Sequence, residues 1–341
     1  MKFLKNTYED YSLKWIVQRI LIVIKERRVP RIGQLLNDLR LSKSSSKKNK
    51  TVREDEAAVY YPGTISIHDV EIPGPQKQSH FINSYFDCIY LLNLEHRADK
   101  RLTSVRQFQH LGIEAKIVDA VNGYQSPHKE EFERYYNMPL GTGYDHPLER
   151  KYRRKMIASP GAWGVLKSKK LIFLDAIKNN YKRILILQDD IFYINDFHKR
   201  FESFINEIDH EWKIIALGAT QHCWDVPECL YYKDAHIRKY DPRQNFYYPL
   251  RTDGAFALGY DQSVFQFIIN EIDKMNCSFD SGAVRTVYKT YKTRCFVCQP
   301  NLIIADVSTS DIRGGRNQEE FASKMKWDLR LYDRNKYDEN P

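Results

Sequence analysis

From residue 84 onward, short runs rich in β-branched and aromatic residues alternate with longer stretches in which apolar residues recur every three or four positions. FDCIYLLNL, residues 86–94, predicts a strand. The stretch from Asp99 to Gly112 predicts a helix, because its apolar residues share one face and the glycine ends the pattern. EAKIVDA, residues 114–120, predicts a second strand, so this region forms one strand-helix-strand unit.

The same alternation continues toward the middle of the chain. SPGAWGVLKSKKLIFLDAIKNN, residues 159–180, predicts a helix with Ser159 as its cap and Pro160 at its first position. It leads into the apolar strand RILIL at 183–187, and an amphipathic helix and the strand KIIALG at 213–218 follow. Strands that alternate with helices predict an α/β fold whose mostly parallel sheet is covered on both faces.

The N-terminal region has a different pattern. Apolar residues from Leu13 to Ile24 recur at helical spacing, Pro30 interrupts them, and a second helical pattern follows within residues 11–41. The apolar run is too short and too polar to span a bilayer, and it lacks the cleavage site of a signal peptide. Two interpretations remain: a helix on an anionic membrane surface with Trp15 at the interface, or a helical hairpin packed on the protein body or on a second subunit.

Composition and charge divide the chain into regions. The 341 residues are 42% hydrophobic and 13% aromatic, which is typical of a folded globular protein and excludes disorder of the whole. Residues 1–53 carry 14 Lys and Arg against 4 Asp and Glu, whereas the rest of the chain has a net charge of −1. The basic excess therefore belongs to an appendage, and the body is not expected to bind nucleic acid. We predict a basic helical region with a polar linker at 1–53, a connecting segment at 54–80 and one globular α/β domain at 81–341.

The six cysteines do not form a zinc pattern. The pair Cys295 and Cys298 has C-x-x-C spacing, but it lies in a strand-like run, and no second pair complements it. Reduced thiols in a cytosolic protein are the expected state. The predicted localisation is cytoplasmic, with peripheral attachment to a membrane as the alternative that residues 11–41 leave open.

The first candidate for chemistry is the acid pair Asp189–Asp190, which directly follows the apolar strand and Gln188. Two adjacent carboxylates at the end of a buried strand repel each other or bind a proton unless a positive charge compensates them. They either cap the next turn or meet an arginine, or they hold a divalent cation, which prefers oxygen ligands.

Polar loops follow the other predicted strands at the same kind of position. NLEHRADKR, residues 93–101, follows the first strand, and DAVNG, residues 119–123, follows the second. Ligands of parallel α/β sheets bind beyond the carboxyl ends of the strands, so Arg97 and Arg101 are expected opposite the acid pair. Arginines and a metal-type acid cluster suit a diphosphate ligand. The chain has neither a P-loop nor a G-x-G-x-x-G motif, which argues against those nucleotide sites.

Four motifs, IYLLNLEHRADKR, VDAVNG, SPGAWGVLKS and LILQDD, occur in an order and at spacings that resemble the lipopolysaccharide-biosynthesis glycosyltransferases of family 25. That family includes bacterial galactosyl- and glucosyltransferases and the collagen galactosyltransferases. The resemblance covers about residues 84–315 and leaves residues 1–80 unexplained. It implies a GT-A fold, a nucleotide-sugar donor such as a UDP-hexose, a divalent cation (Mn²⁺, or Mg²⁺) and inversion at the anomeric carbon.

The resemblance also implies roles for particular residues. Asp190, with Asp189, corresponds to the metal ligands, although Gln188 stands where the family has Glu, and Lys169 follows Ser168 where the family usually has His. A neutral amide at 188 retains the ability to bind the ribose. Asp99 and Arg101 have alternative roles as a helix cap and as a solvated surface residue. The residues expected to contact the donor are Asn93, Arg97, Arg101, Asp119, Ser168, Gln188, Asp189 and Arg313.

Inverting transfer requires a carboxylate that takes the proton of the acceptor hydroxyl. In inverting GT-A enzymes this base stands at a helix start beside a strand of small residues, and Asp280 fits that position. Its alternative role is an ordinary N-cap. Asp253, just before the strand GAFALG, is the second candidate for the base, or a ligand of an acceptor hydroxyl.

A polar loop near the C-terminus, Asp306 to Arg316, is a candidate lid over the diphosphate with Gly314 and Gly315 as hinges, or else a structural turn. The chain is therefore expected to transfer a hexose, galactose or glucose, to a saccharide or glycolipid acceptor. The alternatives are a non-catalytic nucleotide-sugar or glycan-binding protein and a metal-dependent phosphohydrolase.

Overall fold

The computed structural model describes residues 66–69, 80–140, 147–224, 226, 229–232, 237–312 and 314–334. The two predicted N-terminal helices, their linker and Arg313 lie outside these residues. In the part of the chain described, no helix combines the length and the apolar character needed to cross a membrane.

The fold is built on a mixed sheet of eight strands. Its spatial order is β1-β3-β2-β4-β10-β6-β11-β9, with β5 paired to β12 and β7 paired to β8 beside it. The strands are β1 (Ile67–Asp69), β2 (Cys88–Asn93), β3 (Lys116–Asp119), β4 (Arg183–Gln188), β5 (Ile191–Tyr193), β6 (Ile214–Gln221), β7 (Tyr231–Tyr232), β8 (Ile237–Arg238), β9 (Phe246–Tyr247), β10 (Thr252–Asp261), β11 (Cys295–Cys298) and β12 (Ile303–Ala305).

Five strands of the large sheet, β2, β3, β4, β6 and β11, run in one direction. β1, β9 and β10 run the opposite way. The prediction of a mostly parallel α/β sheet is therefore confirmed, and the arrangement of strands is Rossmann-like. β1 lies within the segment predicted to connect the appendage to the domain, where it forms an edge strand on β3.

Helices cover both faces of the sheet. The α-helices described are α1 (Phe81–Tyr85), α2 (Ala98–Leu111), α3 (His128–Asn137), α4 (Pro147–Tyr152), α5 (Pro160–Lys178), α6 (Phe197–Glu207), α7 (Phe265–Asp273), α8 (Arg285–Tyr291) and α9 (Gln318–Met325). The predicted caps are present: Gly112 ends α2 in the left-handed conformation, and the Ser159 hydroxyl accepts a hydrogen bond of 3.2 Å from the Ala162 amide at the start of α5.

β4 shows why the apolar run at 183–187 is continuous. Leu185 and Leu187 pack in the core on one face of the sheet, and Ile184 and Ile186 pack in the core on the other. Side chains alternate along a strand, so a strand with helices on both faces needs apolar residues at every position.

The antiparallel strand β10 is inserted between β4 and β6. Its direction brings its first residues to the edge where β4 and β6 end, and Asp253 pairs with Thr220 near the end of β6. The register is irregular between Asp253 and Ala257, where Gly254 has a φ of +84°. The structure thereby gathers the acids at the end of β4 and the first acid of β10 at one edge of the sheet.

Candidate functional site

A cleft of about 390 Å³ opens at this edge of the sheet. Its walls are formed by the ends of β4 and β6, the start of β10, the loop after β3, the first turns of α5 and the segment before α9. Six residues predicted from the sequence line it: Ser168, Gln188, Asp189, Asp190, Asp253 and Asp280. Asn93, Arg97, Arg101 and Asp119 do not line the cleft and lie behind its acidic wall or to one side.

The acid pair forms one wall of the cleft. Burial raises the pKa of Asp189, and burial together with the charge of Asp189 raises the pKa of Asp190 to about 7. The Asn93 side-chain amide donates to Asp189 Oδ2 at 2.6 Å and to the Arg97 carbonyl at 3.1 Å. Asn93 therefore supports the acid pair from behind, at the end of the neighbouring strand.

Lys100 pairs with Asp190, a role for which the sequence predicts Arg97 and Arg101. Its ammonium group lies 4.0 Å from Asp190 Oδ2 and 3.0 Å from Asp311 Oδ2, and it donates to the Thr309 carbonyl at 2.9 Å. The expected compensation of the acids by arginine is thus made in part by a lysine.

A pattern in α2 could have revealed Lys100. Lys100, Ser104 and Gln107 are buried polar residues that recur at helical spacing. Gln107 donates to the Ile191 carbonyl at 3.1 Å and Ser104 to the Asp189 carbonyl at 3.4 Å. Through Gln107 and Ser104, this polar stripe binds the backbone at residues 189–191. The apolar pattern by which the sequence predicts the helix does not indicate this contact.

The two arginines make different contacts. Arg97 pairs with Asp99 through two hydrogen bonds of 2.9 and 2.7 Å and also contacts Asp311. This guanidinium lowers the pKa of Asp99 to about 2. Asp99 does not cap α2, whose N-cap position is Arg97 itself. Arg101 lies 3.7 Å from Asp119 Oδ1, on the side away from the cleft.

Ser168 and two glycines attach the loop after β3 to α5. The Ser168 hydroxyl donates to the Gly164 carbonyl and accepts from the Val121 amide, both at 2.8 Å. A Cβ on Gly164 would lie 2.3 Å from the Val121 carbonyl oxygen, and one on Gly123 would lie 1.8 Å from the Pro160 carbonyl oxygen. Only glycine permits this close approach of the loop to the helix.

The predicted C-terminal loop lies against the acid pair. The Asp306 amide donates to the Asp190 carbonyl at 2.8 Å, because β12 pairs with β5 immediately after the acids. Lys100 and Arg97 hold Asp311 farther along the loop. Gly314 has a φ of +70°, and a Cβ on Gly315 would lie 2.5 Å from the Ser308 carbonyl oxygen. The loop therefore supplies two further carboxylates, Asp306 and Asp311, to the lining of the cleft.

A second acid pair in the lining, Asp253 and Asp280, lies at the start of β10 and in the turn before α8. Asp280 Oδ1 accepts hydrogen bonds from the Ser281 amide at 2.7 Å and the Ser278 hydroxyl at 3.0 Å, and its Oδ2 lies 3.4 Å from the Gly254 amide. Asp253 pairs with Arg285. Burial and the charge of Asp280 raise the pKa of Asp253, while Arg285 opposes that shift.

Asp280 is the first residue of a π-helical turn, Asp280–Val284, that continues into α8. Phe279 holds the cap position, so the alternative role of Asp280 as an ordinary N-cap does not apply. π-Helical turns are uncommon and recur at functional sites.

Within the residues described, no group of three or more His, Cys, Asp and Glu side chains is arranged to hold a metal ion. The six cysteines are free thiols, as expected from the sequence, and the Sγ atoms of Cys223 and Cys229 lie 2.7 Å apart. The donor, metal and base roles of the residues named above remain predictions.

Comparison with known proteins gives consistent matches. The model of glycosyltransferase family 25, described as LPS biosynthesis protein, matches residues 86–281. Procollagen galactosyltransferase 1-B of Xenopus laevis is 28% identical over 178 residues, 51% of this chain and 27% of that protein. Procollagen galactosyltransferase 2 of Mus musculus is 23% identical over 193 residues, 53% of this chain and 29% of that protein.

A third relative differs in its stated activity. The inactive glycosyltransferase 25 family member 3 of Homo sapiens is 25% identical over 139 residues, 40% of this chain and 22% of that protein. The chain covers less than a third of the length of each of these three relatives.

Proposed function

Because the chain belongs to glycosyltransferase family 25, we propose that it transfers a hexose from a nucleoside-diphosphate sugar to a saccharide or glycolipid acceptor. Membership of the family supports glycosyl transfer. The observation that carries the proposal is a cleft whose lining contains two acid pairs, Asp189 with Asp190 and Asp253 with Asp280. Galactose from UDP is the first sugar to test, since two relatives are named galactosyltransferases.

The acid pair suits a divalent cation, Mn²⁺ or Mg²⁺. Half-buried, adjacent carboxylates with raised pKa values gain from a neighbouring positive charge, and their oxygens are the ligands that these cations prefer. Asp189 and Asp190 would hold the cation, with the remaining ligands supplied by the donor diphosphate and water. A bound cation would stabilise the charge of the departing nucleoside diphosphate.

Donor binding would use the residues around this wall. Gln188 lies in the lining and can donate its amide to a ribose hydroxyl. Asn93 orients Asp189, and Lys100 and Arg97 bring positive charge to the loop that contains Asp311. Arg101, Asp119 and Ser168 would act indirectly, by holding the loops that border the cleft. Arg313 remains a candidate from the sequence.

Asp280 is our candidate for the base. Its Oδ2 has one long contact from the Gly254 amide, 3.4 Å, so this oxygen can approach an acceptor hydroxyl. Asp253 is the second candidate, or a ligand of the acceptor, because Arg285 already binds one of its oxygens.

A second function, non-catalytic binding of a nucleotide sugar or glycan, is favoured by one set of observations. Gln188 and Lys169 depart from the motif expected of the family, and one relative is named inactive. Because Gln188 replaces a carboxylate near the metal, cation binding would be weaker, while the cleft itself would remain.

The test is a screen of nucleotide sugars with Mn²⁺, read out as released nucleoside diphosphate, together with a titration of UDP by calorimetry. Release from one donor that disappears with EDTA and in Asp280→Asn is the expected result. Binding of a donor without release or transfer would establish the non-catalytic function instead. Release of inorganic phosphate in place of the nucleoside diphosphate would indicate a phosphohydrolase.

A further inference from the structure

Next to the candidate base, α5 contains a buried lysine. Lys169 has no exposed surface, and its ammonium group donates to the Ala255 carbonyl at 2.7 Å. The same nitrogen lies 4.8 Å from the centre of the Phe279 ring, a distance that allows a cation–π interaction. A fully buried lysine is rare in proteins, because removing the ammonium from water is costly unless other groups compensate it.

The two contacts of Lys169 lie on either side of Asp280. Phe279 directly precedes Asp280, and Ala255 directly follows Gly254, whose amide faces Asp280 Oδ2. Lys169 thus connects the start of β10 to the turn that carries the candidate base. On α5, Phe173 also stacks on Phe279, with ring centroids 6.4 Å apart, whereas Lys169 makes the hydrogen bond to the Ala255 carbonyl. The neighbouring lysines pair with other residues, Lys167 with Glu131 and Lys170 with Asp273.

The charges around Lys169 come from several elements. Burial lowers the pKa of Lys169 to about 7, and Asp280 is the group whose charge opposes this shift. The other titratable or charged groups in this region are Asp253 on β10, Arg285 on α8, His222 after β6 and Cys277 before the π-helical turn. Arg285 pairs with Asp253, the neighbour of Asp280 in the lining of the cleft.

We propose that Lys169 is the positioning residue of the candidate base: its amine binds the Ala255 carbonyl and packs on the Phe279 ring, and so fixes the two segments that contact or carry Asp280. This inference rests on the proposed glycosyl transfer, in which Asp280 must accept a proton. Lys169 itself acts through Asp280 and does not need to touch the sugars. It stands where the resemblance to the family leads one to expect a histidine.

The experiment compares Lys169→Met, Lys169→His and a matched control, Lys170→Met, in the full-length protein. We measure kcat as a function of pH and the affinity for UDP with Mn²⁺. Lys169→Met should lower kcat by about tenfold to a hundredfold, because a displaced base loses its alignment with the acceptor. The loss should appear in kcat at every pH of the profile, because a misplaced base is inefficient throughout.

The controls separate a positioning role from a general structural one. Lys170→Met removes an ion pair from the same helix at the next position and should leave the profile and kcat unchanged. UDP affinity should be unaltered in all three variants, since the nucleotide would be held beside Asp189 and Asp190, the other acid pair. Lys169→His should recover part of kcat, because an imidazole can also donate to the Ala255 carbonyl.

A measurement of stability keeps the inference testable if Lys169→Met loses too much activity. In a double-mutant cycle with Asp280→Asn, the shifts in urea midpoint should be non-additive, because both side chains hold the start of β10 and the turn at 278–281 together. Additive shifts, or an unchanged kcat in Lys169→Met, would overturn the inference. If the wild-type protein releases no nucleoside diphosphate from any donor, the proposed function fails first, and the cycle still decides whether Lys169 and Asp280 are coupled.

Discussion

At the residue scale, the Asp190 carboxylate is costly to keep ionised in the cleft. Its carboxylate is half-buried beside that of Asp189, and the ammonium of Lys100 at 4.0 Å compensates it only in part. The raised pKa of Asp190, about 7, expresses this cost, because burial and a like charge both favour the protonated form. Binding of a cation or of a proton would therefore stabilise the site.

Asp190→Ala should abolish Mn²⁺-dependent binding of UDP and leave the fold intact. Removal of one of two repelling carboxylates should change the free energy of unfolding in EDTA by no more than about 1 kcal/mol. Calorimetry with UDP and Mn²⁺, and urea unfolding, measure the two quantities. Asp273→Ala on α7 is the matched control, because that aspartate lies at the surface, paired with Lys170. Retention of Mn²⁺-dependent affinity in Asp190→Ala would exclude the metal role of the pair.

The lowered pKa of Lys169 predicts the direction in which the free energy of unfolding changes with pH. Its pKa in the folded protein, about 7, lies below the usual 10.5, so between these values the unfolded chain binds a proton that the folded protein does not. The free energy of unfolding should therefore gain up to about 1–3 kcal/mol from this group as pH rises from 7 to 10, and no gain is expected below pH 7.

Urea unfolding of the wild type and Lys169→Met at pH 7, 8 and 9 measures this contribution as a difference between the two proteins. The wild type should gain stability relative to the variant at each step. Equal pH dependence in both proteins would show that Lys169 keeps an ordinary pKa. Lys170→Met again serves as the control at an ion pair on the same helix.

At the element scale, the start of α5 determines the position of the loop after β3. The Ser168 hydroxyl bridges that loop to the helix, and Gly164 allows the Val121 carbonyl to approach. Because this loop lines the cleft, a small displacement of the helix would be transmitted to the donor side of the site.

Gly164→Ala should destabilise the protein by about 1–3 kcal/mol, since the new Cβ would lie 2.3 Å from the Val121 carbonyl oxygen and force the loop away. Gly161→Ala, one turn earlier on the same helix, is the matched control. Its Cβ would meet the end of the Ile312 side chain at 3.3 Å, which can move aside. Urea midpoints and UDP affinity compare the two variants, and equal midpoints would contradict the close packing of loop and helix.

The loop at 306–312 depends on Lys100. This lysine donates to the Thr309 carbonyl and pairs with Asp311, so Lys100→Met should leave both groups without that partner. Amide hydrogen exchange should become faster in residues 306–312 and stay unchanged in α6. Lys324→Met, at an exposed pair with Glu320, is the control. Unchanged exchange at 306–312 in Lys100→Met would mean that the β12 pairing alone holds the loop.

At the scale of the whole molecule, the basic excess and the unit that contains the sheet are separate in sequence. The unit that contains the sheet begins at Ile65, and the charge of +10 lies within residues 1–53. A basic helix with an apolar face binds anionic lipid by about 1 kcal/mol per basic residue near the headgroups. For a glycolipid acceptor, such binding would raise the local acceptor concentration.

Full-length protein should therefore sediment with vesicles of phosphatidylserine and phosphatidylcholine at low salt and be released at high salt. A shortened chain beginning at Ile65 should stay in the supernatant and still release nucleoside diphosphate. If the full-length protein does not sediment with the vesicles at any salt concentration, or if the shortened chain does not fold, residues 1–53 pack on the body or on a second subunit instead.

The sequence by itself determined the local elements and the place of the acid pair. Helix α2 with its final Gly112, helix α5 with Ser159 and Pro160, and the buried strand β4 before Asp189 all follow from periodicity, capping residues and continuous apolar runs. These signals act between residues a few positions apart, where chain connectivity alone fixes the geometry.

Only the tertiary structure decided which distant groups meet in the cleft. Insertion of β10 against the direction of β4 brings Asp253 to the acid edge, and pairing of β12 with β5 brings Asp306 to Asp190. The contacts of Lys100 with Asp311 and of Lys169 with Ala255 join residues 211 and 86 positions apart. No local pattern encodes such pairs, because they depend on how whole strands and helices pack against one another.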